Sequence, residues 1–251
     1  MKKGLNAISI LHLHEMESTD CSLSCKGCYL TKDTLQKGNL DKETFLGLLD
    51  ENTLLTRAIY LNNLPRDINK MLEDSPLVTE ISNLVGRPFT ENVLVTDSIS
   101  ALKLDGDILR SNSFTDILIS PRSSESLEKS IKKLKGSFGK CSVLFTVGVD
   151  SPLLLPKAIQ LECTAIELNI VKPYTLANFY EYEQMSSYLL QICPPKNIEF
   201  RRNTCLDFVT DKKDCSNPEN GEWEITTILG RSDFYSCAYT SNNCIAKIIK
   251  E

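Results

Sequence analysis

The sequence lacks any long apolar run. No segment approaches the ~18 consecutive apolar residues that a membrane helix needs, so no membrane partner is expected. Met1 to Ile10 holds two lysines but no apolar stretch of signal-peptide length, which predicts a cytoplasmic chain. Clustered Lys and Arg are missing too. The net charge of −5 argues against a nucleic-acid partner, whose phosphates demand a basic footprint. There is no internal repeat and no low-complexity segment. Hydrophobic residues at 41% and charged residues at 24% are globular proportions, so the chain is not disordered as a whole. A chain of 251 residues buries its own core without needing disulfides.

Against these absences stand ten cysteines. In a cytosolic chain that number points to metal rather than to disulfides. They fall at 21, 25, 28, 141, 163, 193, 205, 215, 237 and 244. After about residue 200, Asn, Asp, Ser and Cys rise and long apolar-periodic segments stop.

Before that point, short apolar runs alternate with helical patterns. Strands are expected at Ala7–His14, Ala58–Leu61, Asn92–Thr96, Asp116–Ser120, Ser142–Val147, Ala165–Val171 and, as a last one, Asn197–Phe200. Helices are expected at Lys42–Asn52 with Asp41 as N-cap, near Ile68–Leu72, at Val78–Leu84, Ser124–Lys135 with Gly136 as the stop, Pro152–Leu161 and Leu176–Ile192. This alternation predicts a parallel sheet covered by helices. About six βα units are countable, fewer than the eight of a closed barrel. The expected fold is α/β, a partial (β/α)6 TIM-like barrel over residues 1–200, with a small cysteine-rich β-hairpin extension over 201–251.

Cys21, Cys25 and Cys28 form a C-x3-C-x2-C loop after the first strand. Three thiolates within eight residues can hold three corners of one iron–sulfur cluster and leave the fourth iron open to a ligand. A structural zinc site usually draws four ligands from two C-x2-C pairs, and only one such pair is present here. This spacing, with the Gly27-Cys28-Tyr29 ending and six βα units, resembles the radical S-adenosylmethionine (radical SAM) superfamily over residues ~7 to ~200. The resemblance implies a [4Fe–4S] cluster on the three cysteines, with S-adenosyl-L-methionine (SAM) chelated by the open iron and cofactor contacts at Gly27 and Tyr29. It further implies reductive cleavage of SAM to a 5′-deoxyadenosyl radical that abstracts a substrate hydrogen. The family usually carries a Gly-Gly-Glu-Pro-like segment after its second strand. Here Asn62-Asn63-Leu64-Pro65 stands there. Asparagine tolerates positive φ, so Asn62 and Asn63 are the candidate acceptors for the SAM ammonium group.

Other cofactor candidates sit at strand ends, where ligands collect in parallel βα folds. They are Thr96, with Asp97 and Ser98 beside it, then Ser120 and Arg122. The bland reading makes them helix caps and surface charge. His12 and His14 share one strand face with Ile8 and Ile10, and a structural role suits them best. No catalytic acid, base or hydrogen donor is assigned.

Cys205, Cys215, Cys237 and Cys244 surround a hairpin expected at Glu222–Leu229 and Phe234–Cys237, with Gly230 between. They resemble a shortened auxiliary-cluster domain of the twitch type, related to SPASM domains. A second [4Fe–4S] cluster, zinc, or unligated thiols are the alternatives. Cys141, Cys163 and Cys193 lie in or beside apolar segments and read as buried small hydrophobes. The enzyme reading implies a flavodoxin- or ferredoxin-type reductant and a peptide or small-molecule substrate. The alternative is a non-enzymatic iron–sulfur or zinc protein, serving binding or electron transfer on a degenerate barrel.

Overall fold

The computed structural model describes residues 6–14, 40–61, 76–170, 176–202, 222–228 and 233–235. The cysteine loop, Asn62, Asn63, the helix expected near Ile68–Leu72 and the four C-terminal cysteines lie outside them.

The strands are β1 Ala7–His14, β2 Leu40–Asp41, β3 Leu54–Leu61, β4 Glu91–Asp97, β5 Asp116–Ser120, β6 Ser142–Val147, β7 Ala165–Ile170, β8 Glu199–Arg202, β9 Glu222–Ile228 and β10 Asp233–Tyr235. The helices are α1 Lys42–Leu46, α2 Leu77–Val85, α3 Gly106–Ser111, α4 Ser124–Ser137, α5 Leu154–Gln160 and α6 Leu176–Ile192. Short 3-10 turns occur at Ser100–Lys103 and Pro194–Lys196. One sheet joins all the strands in the order β2-β10-β9-β1-β3-β4-β5-β6-β7-β8. From β9 to β8 every neighbouring pair is parallel. The expected hairpin forms, because β10 pairs antiparallel with β9. Its first strand also lies parallel to β1, with Leu11 opposite Ile225.

Alternation along each strand sorts the side chains onto two faces. Leu11, Leu13, Tyr60, Leu94, Ile117, Phe145 and Leu168 pack with helix residues such as Phe45, Ile81, Leu127 and Tyr182 in the main core. On the other face, Ile59, Val93, Val95 and Leu118 form a separate cluster, with Ile10, Leu61 and Leu144 against it.

That second face is concave. Arg57 of β3 pairs with Glu167 of β7 at 2.8 Å, although three strands stand between them. In a flat sheet four strand spacings would separate β3 and β7 by roughly 19 Å, beyond the joint reach of the two side chains. Arg201 of β8 likewise reaches Asp116 of β5 at 3.0 Å, and Ser142 of β6 donates to the same carboxylate at 2.8 Å. Glu91 of β4 joins Arg57 at 3.1 Å. The Arg57 contacts are charge contacts rather than aligned hydrogen bonds. The sheet therefore curls into a half-barrel, consistent with a partial TIM-like barrel. Its concave side has three layers: a charged floor at the amino ends of the strands, an apolar middle and a polar rim at the carboxyl ends.

Several boundaries differ from expectation. Helix α1 stops at Leu46 rather than Asn52. The Asp50 N–H donates to Thr53 Oγ1 and Asn52 N–H donates to Asp50 Oδ1, and such local side-chain bonds compete with helix. Gly136 is inside α4, not its stop. The chain turns at Gly139, at φ 97°, whose N–H donates to the Leu134 carbonyl. The Asp41 cap is present, accepting from Thr44 N–H at 2.8 Å.

Candidate active site at the carboxyl ends of the strands

Because the strands run parallel, their carboxyl ends share one rim. Asp97 closes β4 opposite Ser120 of β5, and His14 closes β1 opposite Leu61 of β3. Ile10 packs with the concave cluster, whereas Ile8 lies in the main core, the β1–β9 register shifting between them, so the two do not share a face as expected. Residues 15–39 leave from the end of β1, and residues 62–75 from the end of β3. In sequence, the cysteine motif follows the end of β1 and Asn62-Asn63 follows the end of β3.

The sequence candidates on β4 and β5 are stitched together. Asp97 is buried, and its oxygens accept from Ile99 N–H at 2.8 Å, Ser100 N–H at 3.1 Å and Ser100 Oγ at 2.7 Å. Its carboxylate builds the 3-10 turn that follows. Thr96 is buried on the helix-facing side, in alternation with Val95. Ser98 is also buried. Its N–H donates to the Ser120 carbonyl at 2.9 Å, and its Oγ accepts from Arg122 N–H at 2.9 Å and lies 2.7 Å from Ser126 Oγ. Ser126 belongs to a reciprocal cap with Ser123 at the start of α4. The backbone of Ser120 and Arg122 is held by these bonds, and Arg122, two residues past the end of β5, is half-buried.

Asp150 was not singled out by the sequence. It follows β6 after a turn at Gly148, where φ is 85°, a conformation glycine adopts without penalty. Only 9% of the residue is exposed. Its Oδ2 accepts from Thr146 N–H at 2.6 Å. Burial pushes its carboxyl up to about 6, while the Thr146 N–H and the charge of Arg122 pull the other way. The rim therefore carries a guanidinium and a carboxyl poised near neutrality on adjacent strand ends. Groups of this kind gather at ligand sites. The available signal was a carboxylate three residues beyond a strand end, in Val147-Gly148-Val149-Asp150.

The half-barrel is similar to the crystal structure of SuiB from Streptococcus suis. The TM-score is 0.55 at 16% identity, over 92% of this chain and 60% of that one. At this identity the likeness speaks for the fold alone, and the chain spans about three fifths of SuiB's length. No protein-family model and no curated protein matches the sequence.

Among the described residues, no three His, Cys, Asp or Glu side chains are grouped as metal ligands. Cys141, Cys163 and Cys193 are buried and free, as expected. They precede β6, β7 and β8, at the end of the barrel away from the rim. Burial raises all three thiols, Cys163 to about 12, so they are poor nucleophiles. No helix among the described residues is long and apolar enough to cross a membrane.

Proposed function

We propose that the chain is a radical SAM enzyme. The observation that carries this is positional. The segment that carries Cys21-x3-Cys25-x2-Cys28 follows the carboxyl end of β1 in sequence, in a chain whose half-barrel is similar to that of SuiB. Three thiolates in one loop suit a [4Fe–4S] cluster with one open iron. When bound, cluster and SAM would supply reductive cleavage of SAM to a 5′-deoxyadenosyl radical and hydrogen abstraction from a substrate.

The protein's own part is to bind, orient and keep water out. Cys21, Cys25 and Cys28 would hold the cluster. Gly27 and Tyr29 flank its third ligand. Asn62 and Asn63 would accept from the SAM ammonium group in place of a glutamate. Arg122, fixed through Ser98, is suited to a carboxylate, with Ser120 beside it and Thr96 behind on β4. Asp150 would moderate the charge of Arg122.

A catalytic unit over 1–200 and an auxiliary unit over 201–251 complete the reading. Cys205, Cys215, Cys237 and Cys244 would hold a second [4Fe–4S] cluster or zinc in the auxiliary unit. A flavodoxin- or ferredoxin-type protein would supply the electron, and a peptide or small metabolite would be modified. The Asn62-Asn63-Leu64 segment favours one second reading, an electron-transfer protein that keeps the cluster and has lost SAM chemistry. Anaerobic reconstitution, then incubation with SAM and dithionite, separates the two. The enzyme releases 5′-deoxyadenosine. An intact cluster that yields none would favour the electron carrier.

A further inference from the structure

A closed barrel fixes its curvature by hydrogen bonding its last strand to its first. Among the described residues this sheet ends on β2 and β8, so the ladder itself does not set how far the half-barrel is open. Something on the concave face must. Two contacts there leap over intervening strands: Arg57 to Glu167 from β3 to β7, and Arg201 to Asp116 from β8 to β5. Both lie in the floor layer, toward the amino ends of the strands. Above them Ile59, Val93, Val95 and Leu118 pack together, and apolar packing imposes no fixed span. The Arg57 and Glu167 side chains are 12% and 15% exposed, shielded enough for the pair to resist screening. Glu91 holds the Arg57 guanidinium from the neighbouring strand and so aims it across the barrel.

We propose that Arg57 and Glu167 form a strut across the floor of the half-barrel that sets the width of its mouth. The sheet is continuous from β3 to β7, so the span fixed at the floor is passed to the rim, where Asp97, Ser120 and Asp150 stand. Arg201 and Asp116 repeat the device on the β8 flank. The strut acts whatever the mouth binds.

The test is a distance across the mouth. Ile99, two residues after β4, and Leu176, the first residue of α6, are 55% and 69% exposed. Spin labels on bio-orthogonal amino acids at these positions avoid the ten native cysteines. In Arg57→Met and in the near-isosteric Glu167→Gln, the distribution should broaden and move outward by at least about half a strand spacing, ~2.4 Å. Glu183→Gln breaks the Arg202–Glu183 pair on the helix-facing side and should leave the distance unchanged. An unchanged distance in a folded Glu167→Gln variant would overturn the strut. So would loss of the folded state in Glu167→Gln when Glu183→Gln stays folded, because the pair would then hold up the fold rather than set its width.

Discussion

Asp150 carries its charge at a cost. Raising a carboxyl from 3.8 to about 6 corresponds to about 3 kcal/mol against the ionised form. Its folded value lies above its unfolded one. The native state therefore binds more protons between about pH 4 and pH 6, and the contribution of Asp150 is lost as pH rises through that window. Asp150→Asn keeps an acceptor for Thr146 N–H and removes the charge. It should raise stability at pH 7.5 by about 1–3 kcal/mol and change it little at pH 4, read by denaturant melts at both values. Equal destabilisation at both would show that the carboxylate is not held against its burial. Ser120 and Arg122 were legible in the sequence because a polar residue right after an apolar strand is a local signal. Asp150 was not, since Val-Gly-Val-Asp reads as a surface turn and its burial comes from packing. Arg57 and Glu167 were further out of reach, being 110 residues apart and brought together only by the curl.

At the scale of elements, periodicity placed the strands well. Ala7–His14, Asp116–Ser120, Ser142–Val147 and the helix Leu176–Ile192 have the expected bounds. Ends governed by side-chain bonds or by a single glycine were less readable. The six-residue α3 and the Asp97-capped turn were missed because each is too short to show a period. The glycines of α3 and α4 make opposite predictions. Gly136 sits inside α4, and a Cβ there meets nothing within 4 Å. Gly136→Ala should therefore stabilise by about 0.5–1 kcal/mol. At Gly106, which opens α3, a Cβ would lie 2.6 Å from the Ser137 backbone, and Gly106→Ala should destabilise. Thermal melts of the two variants check this, and a destabilising Gly136→Ala would mean that Gly136 is needed to end the helix.

For the molecule as a whole, the sequence showed six βα units and a hairpin but not how they join. Strand β9 lies against β1, a long-range pairing that no local pattern encodes. The hairpin, flanked in sequence by the C-terminal cysteines, is thus an extension of the sheet that contains β1. If both sets of cysteines hold clusters, reconstituted protein should contain about eight iron and eight sulfide per chain. Replacing Cys21, Cys25 and Cys28 together by Ala should bring this to about four. An intact protein with about four would remove the auxiliary cluster.

The central claim is that SAM is cleaved at the rim where β1 ends. Its most direct measurement is 5′-deoxyadenosine, quantified by chromatography after the anaerobically reconstituted protein is incubated with SAM and dithionite. The account predicts product from the wild-type chain and none from Cys25→Ala. Absence of product from wild-type protein with a full cluster, or equal product from Cys25→Ala, would contradict it.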